Sequence, residues 1–87
     1  MKYPVYCVRD QKVGFQPQLL LEQSDQAAIR GFSYAINGNE GLMNYSPSDF
    51  DLFKIGEFDT EKGELIPCVP ENVVSGISVY GVNENKK

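Results

Sequence analysis

Carboxylates crowd residues 49–64, where Asp49, Asp51, Glu57, Asp59, Glu61 and Glu64 fall close together. In an extended backbone Glu57 and Asp59 share a face, so two groups able to exchange protons stand side by side. A carboxylate pair is not sufficient for most hydrolytic chemistry. The chain contains no histidine, which excludes a serine–histidine triad, a cysteine–histidine dyad and the usual cysteine–histidine zinc site. Its two cysteines cannot complete a structural zinc site by themselves. The acidic spacing lacks the order of a calcium loop. Acidic residues at a turn ordinarily solvate it and guard the neighbouring sheet edges, and this group is expected to do the same. Gly31, Gly38 and Gly41 do not lead from a strand into a helix in the phosphate-binding pattern. The residues therefore predict no catalytic set, no metal and no cofactor.

A second constellation is cationic. Arg9 and Lys12 close an apolar run, Arg30 lies in a helical pattern, and Lys54 lies in the acidic region. If these side chains converge they form a strip able to contact phosphates, with Tyr6, Tyr34 and Tyr45 as platforms on which bases stack. Arg9, Lys12, Arg30, Tyr34 and Lys54 are the candidate nucleic-acid-binding residues. Eight basic against twelve acidic residues, a net charge of −4, oppose nonspecific attachment to a phosphate backbone. Read residue by residue, the composition favours cations paired with nearby carboxylates and tyrosines capping the core.

The elements that must position these groups follow from local pattern. Tyr3 to Arg9 is aromatic, β-branched and thiol-rich, the composition of a strand, with Pro4 acceptable near its start or on an edge. DQKVGFQPQ breaks the period at Gly14 and Pro17, and QLLLEQ after it is expected to be extended and to lie against the sheet. SDQAAIRGFSYAING predicts a helix: Ser24 caps it, Asp25 complements the dipole and Gly38 stops it. Ala28, Ile29, Phe32, Ala35 and Ile36 form its apolar stripe, with Gln26, Arg30, Ser33 and Asn37 outward. Gly31 costs that helix about 1 kcal/mol relative to alanine; it marks either a close backbone neighbour or a tolerated defect. The stretch NEGLMNYSPSD reads as a loop with a helical turn opening at Pro47.

Leu52 to Phe58 and Glu64 to Cys68 predict a hairpin joined by DTEKG, with Gly63 in the left-handed conformation that ends such a loop. A valine at that position is expected to shift or fray the pairing.

Both faces of the predicted sheet are apolar. Tyr3, Val5 and Cys7 alternate with Tyr6 and Val8, and Phe53 and Ile55 alternate with Leu52 and Phe58. One helix covers one face, so the other must be covered by QLLLEQ, by the C-terminal VVSGISVYGV or by a second copy of the chain. A chain of 87 residues buries only roughly 60–65% of its unfolded surface, which makes a partner surface useful, and a homodimer is expected. The whole chain is read as one α+β domain over 1–87: a small antiparallel-rich sheet with one main helix, a β-α-β-β core, and residues 83–87 as a disordered tail. No apolar run is long enough for a membrane span and the start lacks a secretory signal, which predicts an intracellular protein with Cys7 and Cys68 reduced.

The order of VYCVRD, then SDQAAIRGF, then SPSDFDLFKIGEFDTEKGEL resembles the small non-structural protein of gokushovirus-type microviruses over most of residues 1–66. Its specific parts are Arg9–Asp10, Ala28–Ile29–Arg30 with Phe32, and the block Pro47, Asp49, Leu52, Gly56, Phe58, Asp59 and Gly63. The resemblance implies a bacteriophage protein of the host cytoplasm, absent from the virion, non-enzymatic and associated with single-stranded DNA synthesis or packaging. It implies no catalytic residues. The alternative function is an acidic adaptor that binds a viral replication or capsid protein, or a host factor, through a sheet edge or the acidic hairpin.

Overall fold

The computed structural model describes residues 1–38 and 41–81; the expected tail at 83–87 lies outside them. Strand β1 (Lys2–Asp10) is followed by two short strands, β2 (Gly14–Phe15) and β3 (Leu20–Leu21). Helix α1 (Asp25–Ile36) comes next, then a short helix α2 (Leu42–Tyr45) and a 3-10 turn at Pro47–Asp49. The long strands β4 (Phe50–Asp59) and β5 (Glu64–Ser75) and the short helix α3 (Gly76–Val79) complete the order. The sheet is antiparallel, ordered β2-β1-β4-β5, with β3 also on β1. The predicted α+β class is therefore the observed one, with three further short pieces that the sequence pattern did not announce: β2, α2 and α3.

Helix α1 begins where its residues say it should. The Ser24 side chain accepts a hydrogen bond from the Ala27 N–H at 3.2 Å, satisfying a donor that the first turn otherwise leaves unpaired. The Tyr6 hydroxyl donates to Asp25 Oδ1 at 2.5 Å, fastening that first turn to the middle of β1. Burial, followed by this bond, raises the Tyr6 pKa well above its ordinary value.

The core lies between α1 and one sheet face, where Tyr6, Val8, Phe50 and Leu52 meet Ala28, Phe32, Ile36 and Val79. The expected stripe is correct at Ala28, Phe32 and Ile36 and wrong at Ala35, which is exposed. Ser33 and Asn37, expected outward, face the protein instead: Ser33 is buried, and Asn37 Nδ2 donates to the Val79 carbonyl at 3.0 Å. The cause is α3, which packs on that flank of α1 and turns the buried stripe toward it. Thus the C-terminal segment reinforces the helix-covered face, with Val73 and Val74 packed on the same core.

On the opposite face Val5 and Cys7 are also buried, and the cover comes from the stretch after β2. The Cys7 thiol donates to the Gln16 carbonyl at 3.1 Å, and Leu19 joins Val5, Ile55 and Leu65 around an apolar hollow of about 110 Å3. QLLLEQ is extended as expected at Leu20 and Leu21, but these two residues join the sheet edge by pairing with Tyr6 and Val5 instead of lying over its face.

A bulge corrects the predicted alternation in β4. Val5 pairs with Gly56 while Tyr6 pairs with Lys54, leaving Ile55 as an extra residue. Opposed residues share a face, so Phe58, opposite Tyr3, joins Phe53 rather than Leu52.

The hairpin turns where Gly63 adopts φ +64 and its N–H donates to the Asp59 carbonyl at 2.8 Å. Gly56, inside β4, faces the Ile66 carbonyl so closely that a side chain there has no room. Cys7 and Cys68 are free, and β4 runs between their strands.

Candidate nucleic-acid interface

The cationic candidates divide between the two sides of the sheet. Arg9, half-buried in β1, stands opposite Phe15 and Asp51, on the face away from α1. The Phe15 and Phe53 rings meet edge to face there, with centroids 5.3 Å apart. Lys54 stands opposite Tyr6 and Glu71, in register with the helix-covered face. Register alone therefore separates Arg9 from Lys54. The expectation that neighbouring carboxylates neutralise these cations is not met: among the described residues the one ion pair joins the N-terminal amine to Glu61 at 3.7 Å.

Lys12, Arg30 and Tyr34 are arranged differently. Arg30 and Tyr34 are exposed and one helical turn apart, on the same strip of α1. Tyr34 lines a cleft of about 490 Å3 between the last turns of α1, α2 and the β1–β2 turn. Phe50, Leu42 and Met43 supply its apolar lining, while Asp10 and Gln16 supply polar groups. Lys12 sits in the turn between those two residues, where its backbone N–H donates to Asp10 Oδ1 at 2.9 Å. The turn is held from the far side by the Gln11 N–H, which donates to the Asp49 carbonyl at 2.8 Å, and by Gln11 Nε2, which donates to the buried Asp51 carboxylate at 3.0 Å.

Chemically, the cleft combines an exposed aromatic ring, apolar walls, an acceptor carboxylate and an amide, with cations outside it. Asp10, Gln16 and Phe50 were not candidates in the sequence, since nothing in their spacing relates them to Tyr34. Tyr6 offers no stacking platform because it is wholly buried, whereas Tyr34 and Tyr45 present their side chains to solvent.

The acidic group is structural where it is best defined. Asp59 Oδ1 accepts from the Glu61 N–H at 2.9 Å and the Lys62 N–H at 3.3 Å. The Glu61 bond, helped by the Lys62 amide and the charges of the N-terminus and Lys2, holds the Asp59 carboxyl below its ordinary pKa. Among the described residues no three histidine, cysteine, aspartate or glutamate side chains gather to hold a metal. Burial pushes the Cys7 thiol pKa up, which disfavours the reactive thiolate.

A family model described as phage ORF5 protein matches residues 3–79, nearly the whole described chain. The chain belongs to the phage ORF5 protein family. Neither the curated proteins nor the solved structures contain a match. The family match spans β1 through α3, so it includes the cleft, the hairpin and the C-terminal segment that packs on α1. Membership makes this a bacteriophage protein. No helix among the described residues is long and apolar enough to cross a membrane.

Proposed function

We propose that this ORF5-family chain is a non-structural microvirus protein that acts without catalysis, as a homodimer in the host cytoplasm, by holding single-stranded DNA during its synthesis or packaging. The observation that carries the reading is the cleft, with Tyr34 and two polar side chains lining it and Lys12 beside it. Arg30, one turn along α1, extends the same flank. Aromatic stacking adds affinity beyond that of the cations, which supports the reading at a net charge of −4. Titration of fluorescently labelled single-stranded DNA at low and moderate salt tests it. Binding that weakens as salt rises is expected, and no binding at low salt overturns the proposal.

One observation favours a second reading, an adaptor for a viral or host replication protein. Strand β5 is a long edge strand, exposed through most of its length, and edges of this kind accept an added strand. Pro67 and Pro70 within it remove two donors, which limits the pairing it can offer. A pull-down that yields the same protein partner with DNA removed, together with a negative DNA titration, selects this reading.

A further inference from the structure

We infer that the cleft between α1 and the β1–β2 turn holds one unstacked base and discriminates against thymine. The inference rests on the single-stranded DNA reading and adds where the base sits and what edge it must present.

At about 490 Å3 the cleft is within the roughly 300–1,000 Å3 range of small-ligand sites. Its apolar side is formed by Phe50, Leu42 and Met43, its polar side by Asp10 and Gln16, with Tyr34 beside them and strongly exposed. A nucleobase has this same division: flat apolar faces that stack, and an edge of donors and acceptors. A base within a duplex has both faces stacked and its edge paired, so it cannot enter without being extruded. Lys12 and Arg30, outside the cleft lining and exposed, are the nearby cations available to phosphates of the strand.

The polar side sets the preference. Asp10 Oδ1 already accepts the Lys12 N–H, and its other oxygen has no partner among the described residues, nor has the Gln16 side-chain amide. A carboxylate oxygen only accepts. Cytosine, adenine and guanine each offer it an exocyclic amino group; thymine offers carbonyl oxygens on both sides of its one ring N–H, which the carboxylate repels.

The test compares labelled oligodeoxycytidylate with oligodeoxythymidylate of equal length at low salt, for the natural protein, Tyr34→Ala and Asp10→Asn. Tyr34 is exposed, so its truncation spares the core; asparagine keeps the oxygen that accepts the Lys12 amide and converts the other atom to a donor. The expected results are an approximately tenfold preference for the cytosine strand, its loss or reversal in Asp10→Asn, and an approximately tenfold weakening of both strands in Tyr34→Ala. Circular dichroism of each variant verifies the fold. Equal or thymine-favouring binding by the natural protein, or affinity unchanged in Tyr34→Ala, overturns the cleft while leaving DNA binding standing. No binding of either strand by the natural protein overturns both.

Discussion

Gly31 and Gly76 are the same residue under opposite constraints. Gly31 sits mid-helix on the exposed side of α1, and a Cβ there would meet nothing within 4 Å. The close backbone neighbour that its position suggested is not there. Gly31→Ala is therefore expected to stabilise the protein by about 0.5–1 kcal/mol, through helix propensity and a less disordered unfolded chain. A Cβ on Gly76 would collide with the Pro47 carbonyl and stand 2.8 Å from the Phe50 carbonyl. These are backbone atoms, which cannot swing aside, so Gly76→Ala is expected to cost about 3 kcal/mol. Urea denaturation of the two variants should move the midpoint in opposite directions. Asn37 is the third decisive residue: it donates to the Ser33 and Val79 carbonyls and accepts the Gly81 N–H at 2.6 Å. Asn37→Ala removes the side-chain partner of the Val79 carbonyl and the Gly81 N–H, while the Ser33 carbonyl keeps the backbone N–H of residue 37, and should cost about 1–3 kcal/mol in the same measurement.

At the scale of elements, the β4–β5 hairpin is governed by its turn. Gly63→Val forces a β-branched side chain into a left-handed conformation, φ +64, at about 1–2 kcal/mol, and should broaden the amide resonances of residues 57–66. Asp59 gives the same turn a pH dependence. Its pKa is lower in the folded chain, so the unfolded chain binds the proton more readily. Its stabilisation is complete above the ordinary carboxylate value near 4, and is lost as pH falls through the lower folded value. Thermal melts between pH 5 and pH 2 should show a steeper decline for the natural protein than for Asp59→Ala, and parallel curves would contradict this assignment. The bulge at Ile55 belongs to this scale as well. It resets the alternation of β4 so that Phe58 lies with Phe53 and Tyr3 on the face away from α1.

For the whole molecule, the question is how two apolar sheet faces are covered. Helix α1 and the C-terminal residues Val73, Val74 and Val79 cover one. The chain between Gln16 and Leu19 covers the middle of the other, burying Val5 and Cys7. Phe15, Leu19, Leu21 and Leu65 nevertheless remain about half exposed, a continuous cost for so small a core. Light scattering at micromolar concentration is expected to give twice the protomer mass. A protomer mass that persists as concentration rises would show that this self-made cover is sufficient.

Strand β1, helix α1 and the hairpin were written locally. Their signals, alternating apolar residues, Ser24 ahead of a three-to-four periodicity, and Gly63 after an acidic turn, act within a few residues and need no partner to be read. The candidate site was only partly legible: Tyr34 and Arg30 declare themselves by residue type, but Asp10, Gln16 and Phe50 come to the cleft from separate elements. Tertiary structure alone decided that α3 would pack on α1, rotating its buried stripe onto Ser33 and Asn37. It also separated Arg9 from Lys54 across the sheet, since strand register depends on which residues face each other over long sequence distances.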